Sequence, residues 1–244
     1  MTRLGFIYPG GGAEQDYYAF AEVHEDIRVF LVGSRIPAGD DHALAALRET
    51  ARIEHIVEAG RRLVSLQPEV VVWACTSGSF ILGRSGAEAQ VSALAAVTGR
   101  QTTSTSLAFI RALAACGARR VGVLATYPEP AARAFAGFLG EFGIAVMRLD
   151  WLDAPSGFDA ATIPPDRLLE ASRAIGTGPA EAVLIPDTAL ATLDLLPRLE
   201  QAAGKPVLTA NQVTLWAALG LAGRLPVTTW LGVLSALPFP APCP

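Results

Sequence analysis

Cys75 and Asp187 are the two residues whose types and positions point most directly to chemistry. Each ends a short apolar run: Cys75 follows Val70-Val71-Val72-Trp73-Ala74, and Asp187 follows Val183-Leu184-Ile185-Pro186. The thiol is followed by Thr76-Ser77-Gly78-Ser79, at the expected amino end of a helix, where exposed N–H groups lower a thiol's pKa. A thiolate acting as base or nucleophile is the reading; a small buried apolar residue is the ordinary alternative for a free cysteine. A carboxylate at the end of a buried strand is costly unless it is paired or protonated, so a raised pKa and a role as general acid are expected for Asp187. It could equally cap a helix beginning near Thr188 or Ala189, and the two roles do not exclude each other.

Thr76, Ser77, Ser79 and Thr188, with their backbone amides, form two sets of donors. Such donors hold a carboxylate and stabilise the enediolate left when the adjacent carbon loses a proton or CO2. Helix capping would explain each hydroxyl separately. Tyr127, in Ala125-Thr126-Tyr127-Pro128, follows another apolar run and could add a phenol donor. After Pro9 comes Gly10-Gly11-Gly12, which fails the GxGxxG spacing and has no Walker lysine. A loop passing close to substrate is expected there, with Pro9, Gly10 and Gly12 among its contacts. His24, His42 and His55 show no ligand spacing, and Asp40-Asp41-His42 reads as a helix start, so no metal is assigned. The only lysine, Lys205, stands at the start of an expected strand, a poor place for a Schiff base. No cofactor is expected.

These residues need a scaffold, and the hydrophobic pattern supplies one. Short β-branched runs near 3–8, 27–32, 69–74, 101–104, 120–125, 144–149, 181–186 and 206–209 alternate with segments of helical period at 43–66, 85–98, 105–116, 129–142, 165–175, 190–203 and 211–219. That alternation predicts an α/β fold with mostly parallel sheets. The chain also echoes itself. Arg3-Leu4-Gly5-Phe6-Ile7 resembles Arg120-Val121-Gly122-Val123-Leu124, and the run ending at Cys75 resembles the run ending at Asp187, at similar offsets. Two pseudo-symmetric lobes follow, the first from residues 1–104 plus 206–244 and the second from 105–205. Ligands bind at the carboxyl ends of such strands, so Cys75 and Asp187 are expected to face each other across the cleft between lobes.

Composition excludes several other functions. Of the 244 residues 51% are hydrophobic and 17% charged, the balance of a chain with a large core. The mean hydropathy of +0.37 raises the question of a membrane. The apolar runs stop well short of the ~20 residues a bilayer requires, so no span is expected. A net charge of −4 without a basic run argues against a nucleic-acid partner. Three cysteines with no CxxC pair, and no signal peptide in the opening residues, predict a cytoplasmic protein with at least one free thiol. The partner is then a small molecule, and a homo-oligomer is allowed.

Taken together, the repeated halves, Ala74-Cys75-Thr76-Ser77-Gly78-Ser79, Ala125-Thr126-Tyr127-Pro128 and Val183-Leu184-Ile185-Pro186-Asp187-Thr188 resemble the aspartate/glutamate racemase superfamily. Within it, the likeness is to the maleate cis-trans isomerase and arylmalonate decarboxylase branch. It covers nearly the whole chain and includes Thr192-Leu193-Asp194-Leu195-Leu196-Pro197 and Pro206-Val207-Leu208-Thr209-Ala210-Asn211. The resemblance implies cofactor-independent chemistry next to a carboxylate. Isomerases and racemases of this kind carry cysteine at both positions matched by Cys75 and Asp187, and decarboxylases keep only the second; this chain has cysteine at the first and aspartate at the second. Thr76, Ser77 and Tyr127 look like the decarboxylase's carboxylate-binding hydroxyls, Cys75 looks like the isomerase's nucleophile, and Gly12 stands where the isomerases carry asparagine. The leading expectation is an isomerase or racemase of a small carboxylic acid, with Cys75 as base or nucleophile and Asp187 as the opposing acid. An arylmalonate-type decarboxylase and a non-catalytic carboxylate binder are the alternatives.

Overall fold

The apolar runs become strands because the central ones have both faces buried and pair only through their edges. The structure, a computed structural model, describes residues 1–37, 41–225 and 228–240. Asp40 and Cys243 lie outside the described residues. One sheet holds β1 (Thr2–Tyr8), β2 (Ile27–Gly33), β3 (Val70–Trp73) and β4 (Gln101–Ser104) in the order β2-β1-β3-β4. The other holds β5 (Arg120–Ala125), β6 (Ala145–Trp151), β7 (Ala182–Ile185) and β8 (Val207–Thr209) in the order β6-β5-β7-β8. Every pairing among these strands is parallel. The same order in both halves gives the sequence repeat its architecture.

Parallel neighbours need long crossovers, and helices supply them. In the first half these are α1 (Glu14–Glu22), α2 (Leu44–Thr50), α3 (Ile53–Val64), α4 (Thr76–Phe80) and α5 (Gly83–Thr98). Then follow α6 (Thr105–Cys116), α7 (Glu129–Glu141), α8 (Gly157–Ala161), α9 (Pro165–Gly176), α10 (Leu196–Ala203) and α11 (Ala210–Leu221). The largest apolar cluster crosses both halves, joining Phe6, Val72, Phe80 and Phe109 to Val123, Phe135, Leu184 and Trp216. Burial on that scale is what holds the two strand-end surfaces in fixed register. Among the described residues, no helix is long and apolar enough to cross a membrane.

Several elements differ from the sequence-based expectation. The helix expected over 43–66 is two helices, because the Gln90 side chain donates to the Ala51 carbonyl at 2.7 Å and removes it from the helical ladder, while Arg52 turns to an extended ψ of 128°. The helix expected from residue 190 starts later: a 3-10 turn, Leu193–Leu195, leads into α10, whose Pro197 suits a first turn where no N–H is required. Helices α1 and α8 were not anticipated, and the helix expected to begin just after Cys75 is the short α4. The strand expected at 206–209 forms, but it does not extend the first lobe. β8 pairs with β7, so the second sheet extends to Thr209. The chain returns to the first half only in α11, whose residues 210–219 are all buried and which packs on α6, β3 and β4.

Candidate active site

Cys75 stands where β3 gives way to α4. Its backbone is extended (φ −143°, ψ 116°), and its Sγ accepts from the Gly78 N–H at 3.3 Å, so the thiol itself caps the helix. Such a bond strengthens when the sulfur carries charge. The geometry requires glycine at 78, since a Cβ there would fall 3.0 Å from the Cys75 sulfur and 2.8 Å from the Trp73 ring. Ser77 Oγ lies 3.7 Å from the sulfur. Ser79 points the other way: its hydroxyl donates to the Cys75 carbonyl at 2.7 Å and meets Ser106 Oγ at 2.7 Å, tying α4 to α6. It is therefore part of the scaffold.

The Thr76 hydroxyl is buried and has no hydrogen-bond partner. An unpaired buried hydroxyl costs roughly 1–3 kcal/mol, a burden that a bound acceptor would relieve. The first amides of α4, those of Thr76 and Ser77, have no intrahelical acceptor by construction. This corner therefore presents donors that have no acceptor within the helix.

Asp187 lies at the end of β7 and is 4% exposed. Its Oδ2 accepts from Thr126 Oγ1, and its Oδ1 accepts from the Ala189 N–H at 2.9 Å. Burial pushes its carboxyl above the ordinary range, while the His42 imidazole, the Thr126 hydroxyl and the Ala189 amide each pull it partway back. The expectation of a helix N-cap is corrected here. No helix begins at 188 or 189; residues 188–190 form a turn and bend, so the aspartate closes an Asx-type turn.

Two phenols connect the strand ends. Tyr8, at the end of β1, donates to the Thr188 carbonyl at 2.9 Å, spanning the two halves. Tyr17 on α1 packs edge-on to it at 5.7 Å between centroids and donates to Asn211 Oδ1 at 3.0 Å. Burial drives both phenols far above the usual tyrosine value. Charge on Asp187 adds to the shift of Tyr8, and charge on Cys75 adds to that of Tyr17. The Tyr8 hydroxyl thus holds the residue after Asp187, and Tyr17 packs against the Tyr8 ring, so the two phenols bridge the halves beside this strand end.

The profile of the arylmalonate decarboxylase family matches residues 43–233. The chain belongs to that family. Over 197 residues it is 30% identical to the arylmalonate decarboxylase of Bordetella bronchiseptica, covering 79% of this chain and 77% of that one. In fold it resembles the maleate isomerase Iso of Pseudomonas putida S16 in a variant with maleate, with TM-score 0.87 and 21% identity over 97% of this chain and 98% of the other. A doubly substituted arylmalonate decarboxylase in its liganded form gives TM-score 0.80 and 24% identity over 91% and 93%.

The other expected binding residues fall into three sets. Thr76, Ser77 and Thr188 sit beside Cys75 and Asp187. Gly10 and Gly12, which follow Pro9, have φ of 101° and 116°, in the left-handed half where glycine is favoured. A Cβ on Gly12 would approach Ala161 of α8 to 2.8 Å, so this loop is a close crossing between halves. Tyr127 is buried, and its hydroxyl donates to the Pro186 carbonyl. It would have to release that carbonyl to reach a substrate. The sequence reading missed Tyr8, Thr126 and His42. The rule that picked out Tyr127, a polar group just past a strand, applies equally to Tyr8 and Thr126. Nothing local marks His42.

Proposed function

We propose that this protein is a cofactor-independent isomerase or racemase acting at the carbon next to a carboxylate of a small mono- or dicarboxylic acid. What supports the reading is a helix-capping thiol at one strand end, with an unpartnered hydroxyl next to it, and a buried carboxyl, its pKa raised by that burial, at the equivalent strand end of the other sheet. Thr76 Oγ1 and the first amides of α4 hold the substrate carboxylate. Cys75, as thiolate, takes the α-proton, and the electron pair moves into the carboxylate to give an enediolate that the same donors stabilise. Asp187, as the acid, delivers its proton to the opposite face of the carbon. One turnover leaves a thiol and a carboxylate, the state required for the reverse reaction, so no cofactor enters. On an alkene diacid the same thiolate would add to carbon instead, and loss of the thiolate after bond rotation would complete a cis-trans isomerisation. A reduced thiol suits the cytoplasmic location expected from the sequence.

A second reading is favoured by the family match. A malonate-type substrate could lose CO2 to give the same enediolate, with a single residue then protonating it. Proton NMR of a panel of mono- and dicarboxylates in D2O separates the two. Deuterium incorporation with retained carboxyl groups, or cis-trans conversion of an alkene diacid with its carboxyl groups retained, is expected for the first reading. Release of CO2 with one deuteron gained would replace it by the second, and neither reaction on any panel member would overturn both.

A further inference from the structure

Tyr8 joins the two halves through one hydroxyl. Gly10, Gly11 and Gly12 follow it at φ of 101°, 121° and 116°, a backbone that glycine alone adopts freely, and they turn the chain back until the Ala13 N–H donates to Tyr8 Oη at 3.3 Å. The hydroxyl's own proton goes to the Thr188 carbonyl in the other half, at 2.9 Å. Tyr8 is 3% exposed, and burial holds its phenol protonated, so it stays a donor to that carbonyl.

The carbonyl of Thr188 and the N–H of Ala189 are the two ends of one planar peptide group. That N–H donates to Asp187 Oδ1 at 2.9 Å. The Ala13 N–H, the Tyr8 hydroxyl, the 188–189 peptide and the Asp187 carboxyl thus stand in line, each donating to the next. A donor on the carbonyl polarises the peptide and makes its N–H a better donor. Because the group is planar, the same bond also sets the direction in which that N–H points. The other supports of this turn do not pass through Tyr8. Thr126 Oγ1 donates to Asp187 Oδ2, and the Tyr127 hydroxyl donates to the Pro186 carbonyl. His42 is held by the 154–156 segment: its backbone N–H donates to the Pro155 carbonyl at 2.9 Å, and its Nδ1 is 2.9 Å from the Ala154 carbonyl.

We propose that Tyr8 is a positioning residue for Asp187, orienting the carboxyl through the Thr188–Ala189 peptide and tying it to the glycine loop of the other half. Where it concerns turnover, the inference rests on the reading of Asp187 as the acid. One oxygen of the carboxyl is fixed by Thr126 from its own half, and the other is fixed from across the junction. The fold of the loop reaches the acid along this line, since the Ala13 N–H occupies a lone pair of Tyr8 Oη and turns the hydroxyl's proton toward Thr188.

The chain has three Thr–Ala peptides, at 50–51, 188–189 and 209–210. Labelling threonine with 13C at the carbonyl and alanine with 15N therefore gives NMR peaks that each read both ends of one peptide. In the full-length protein, Tyr8→Phe should move both the Thr188 carbonyl carbon and the Ala189 amide and leave the 50–51 peak in place. It should raise the Asp187 carboxyl midpoint by about half a pH unit, a roughly threefold change in proton affinity, because a weaker hydrogen bond stabilises the carboxylate less. Turnover should fall about five- to tenfold with KM nearly unchanged, the size of one hydrogen bond. Tyr17→Phe removes a hydroxyl from the same junction, one that donates to Asn211, and should leave the 188–189 peak where it is. Equal shifts from both variants would mean general loosening and overturn the proposal. Tyr8→3-fluorotyrosine keeps the shape and strengthens the donor, so peak and midpoint should move the opposite way; it decides alone if Tyr8→Phe does not fold. A Thr188 carbonyl that moves while the Ala189 amide and the Asp187 midpoint stay overturns the proposal, as does unchanged turnover in Tyr8→Phe when Asp187→Asn is inactive. Failure of the acid reading looks different: Asp187→Asn keeps full turnover, while the peak and the midpoint still move together in Tyr8→Phe and uphold the positioning.

Discussion

Asp16 offers a test of the physical reasoning that does not depend on knowing the substrate. Its carboxylate is 5% exposed and joins the halves, accepting from the Thr192 N–H and from Asn211 Nδ2, each at 3.0 Å. Burial pushes its pKa up from 3.8 to about 6 despite those hydrogen bonds. A carboxyl raised on folding stabilises the folded state most below its unfolded value, and this contribution is lost as pH rises through the folded value. The shift from 3.8 to about 6, at 1.36 kcal/mol per unit, makes the ionised form cost about 3 kcal/mol above pH 6. Of this, about 2 kcal/mol should develop from about pH 4.5 to about pH 7.5. Asp16→Asn retains an oxygen for both donors and has no proton to lose. Urea unfolding of both proteins at several pH values isolates the term, since every other group cancels in the difference. The variant should gain about 2 kcal/mol relative to wild type across that range, or roughly 4–8 °C in Tm for a chain of this size. A difference constant with pH would refute the claim that burial controls this carboxyl.

Four further outcomes are expected. Asp187→Asn should fold and lose about two orders of magnitude in turnover, a typical loss for a missing general acid, while Asp187→Cys retains part of the activity. Cys75→Ala should abolish turnover and Cys116→Ala should not, because burial pushes the Cys116 thiol up to about 11 and leaves it protonated; iodoacetamide labelling followed by mass spectrometry would check which thiol reacts. Thr76→Val removes a hydroxyl that has no partner, so Tm should hold or rise while KM rises about tenfold or more, the loss expected for one hydrogen bond to a charged group. Gly12→Ala forces a Cβ to 2.8 Å from Ala161 at a φ of 116°; unfolding measurements should show a loss of about 1–3 kcal/mol.

The sequence alone determined the α/β alternation, the repeat, and the placing of Cys75 and Asp187 at equivalent strand ends. Those features are written in local periodicity: a run such as Val70-Val71-Val72-Trp73 has one favourable environment, and the polar residue that follows it must emerge at a strand's carboxyl end. The capping role of Cys75 is similarly local, set by the residues up to Gly78. Tertiary structure decided the rest. No breaker marks the end of α2; the helix stops because Gln90, remote in the chain, takes the Ala51 carbonyl. The strand after residue 205 pairs with β7 because the second sheet's edge was open to it, a fact no periodicity encodes. His42 reads as an ordinary histidine near a helix start until the 154–156 segment folds against it. The charge states of Asp16 and Asp187 likewise come from burial by residues far away in sequence, because desolvation depends on what surrounds a group in three dimensions and not on its neighbours along the chain.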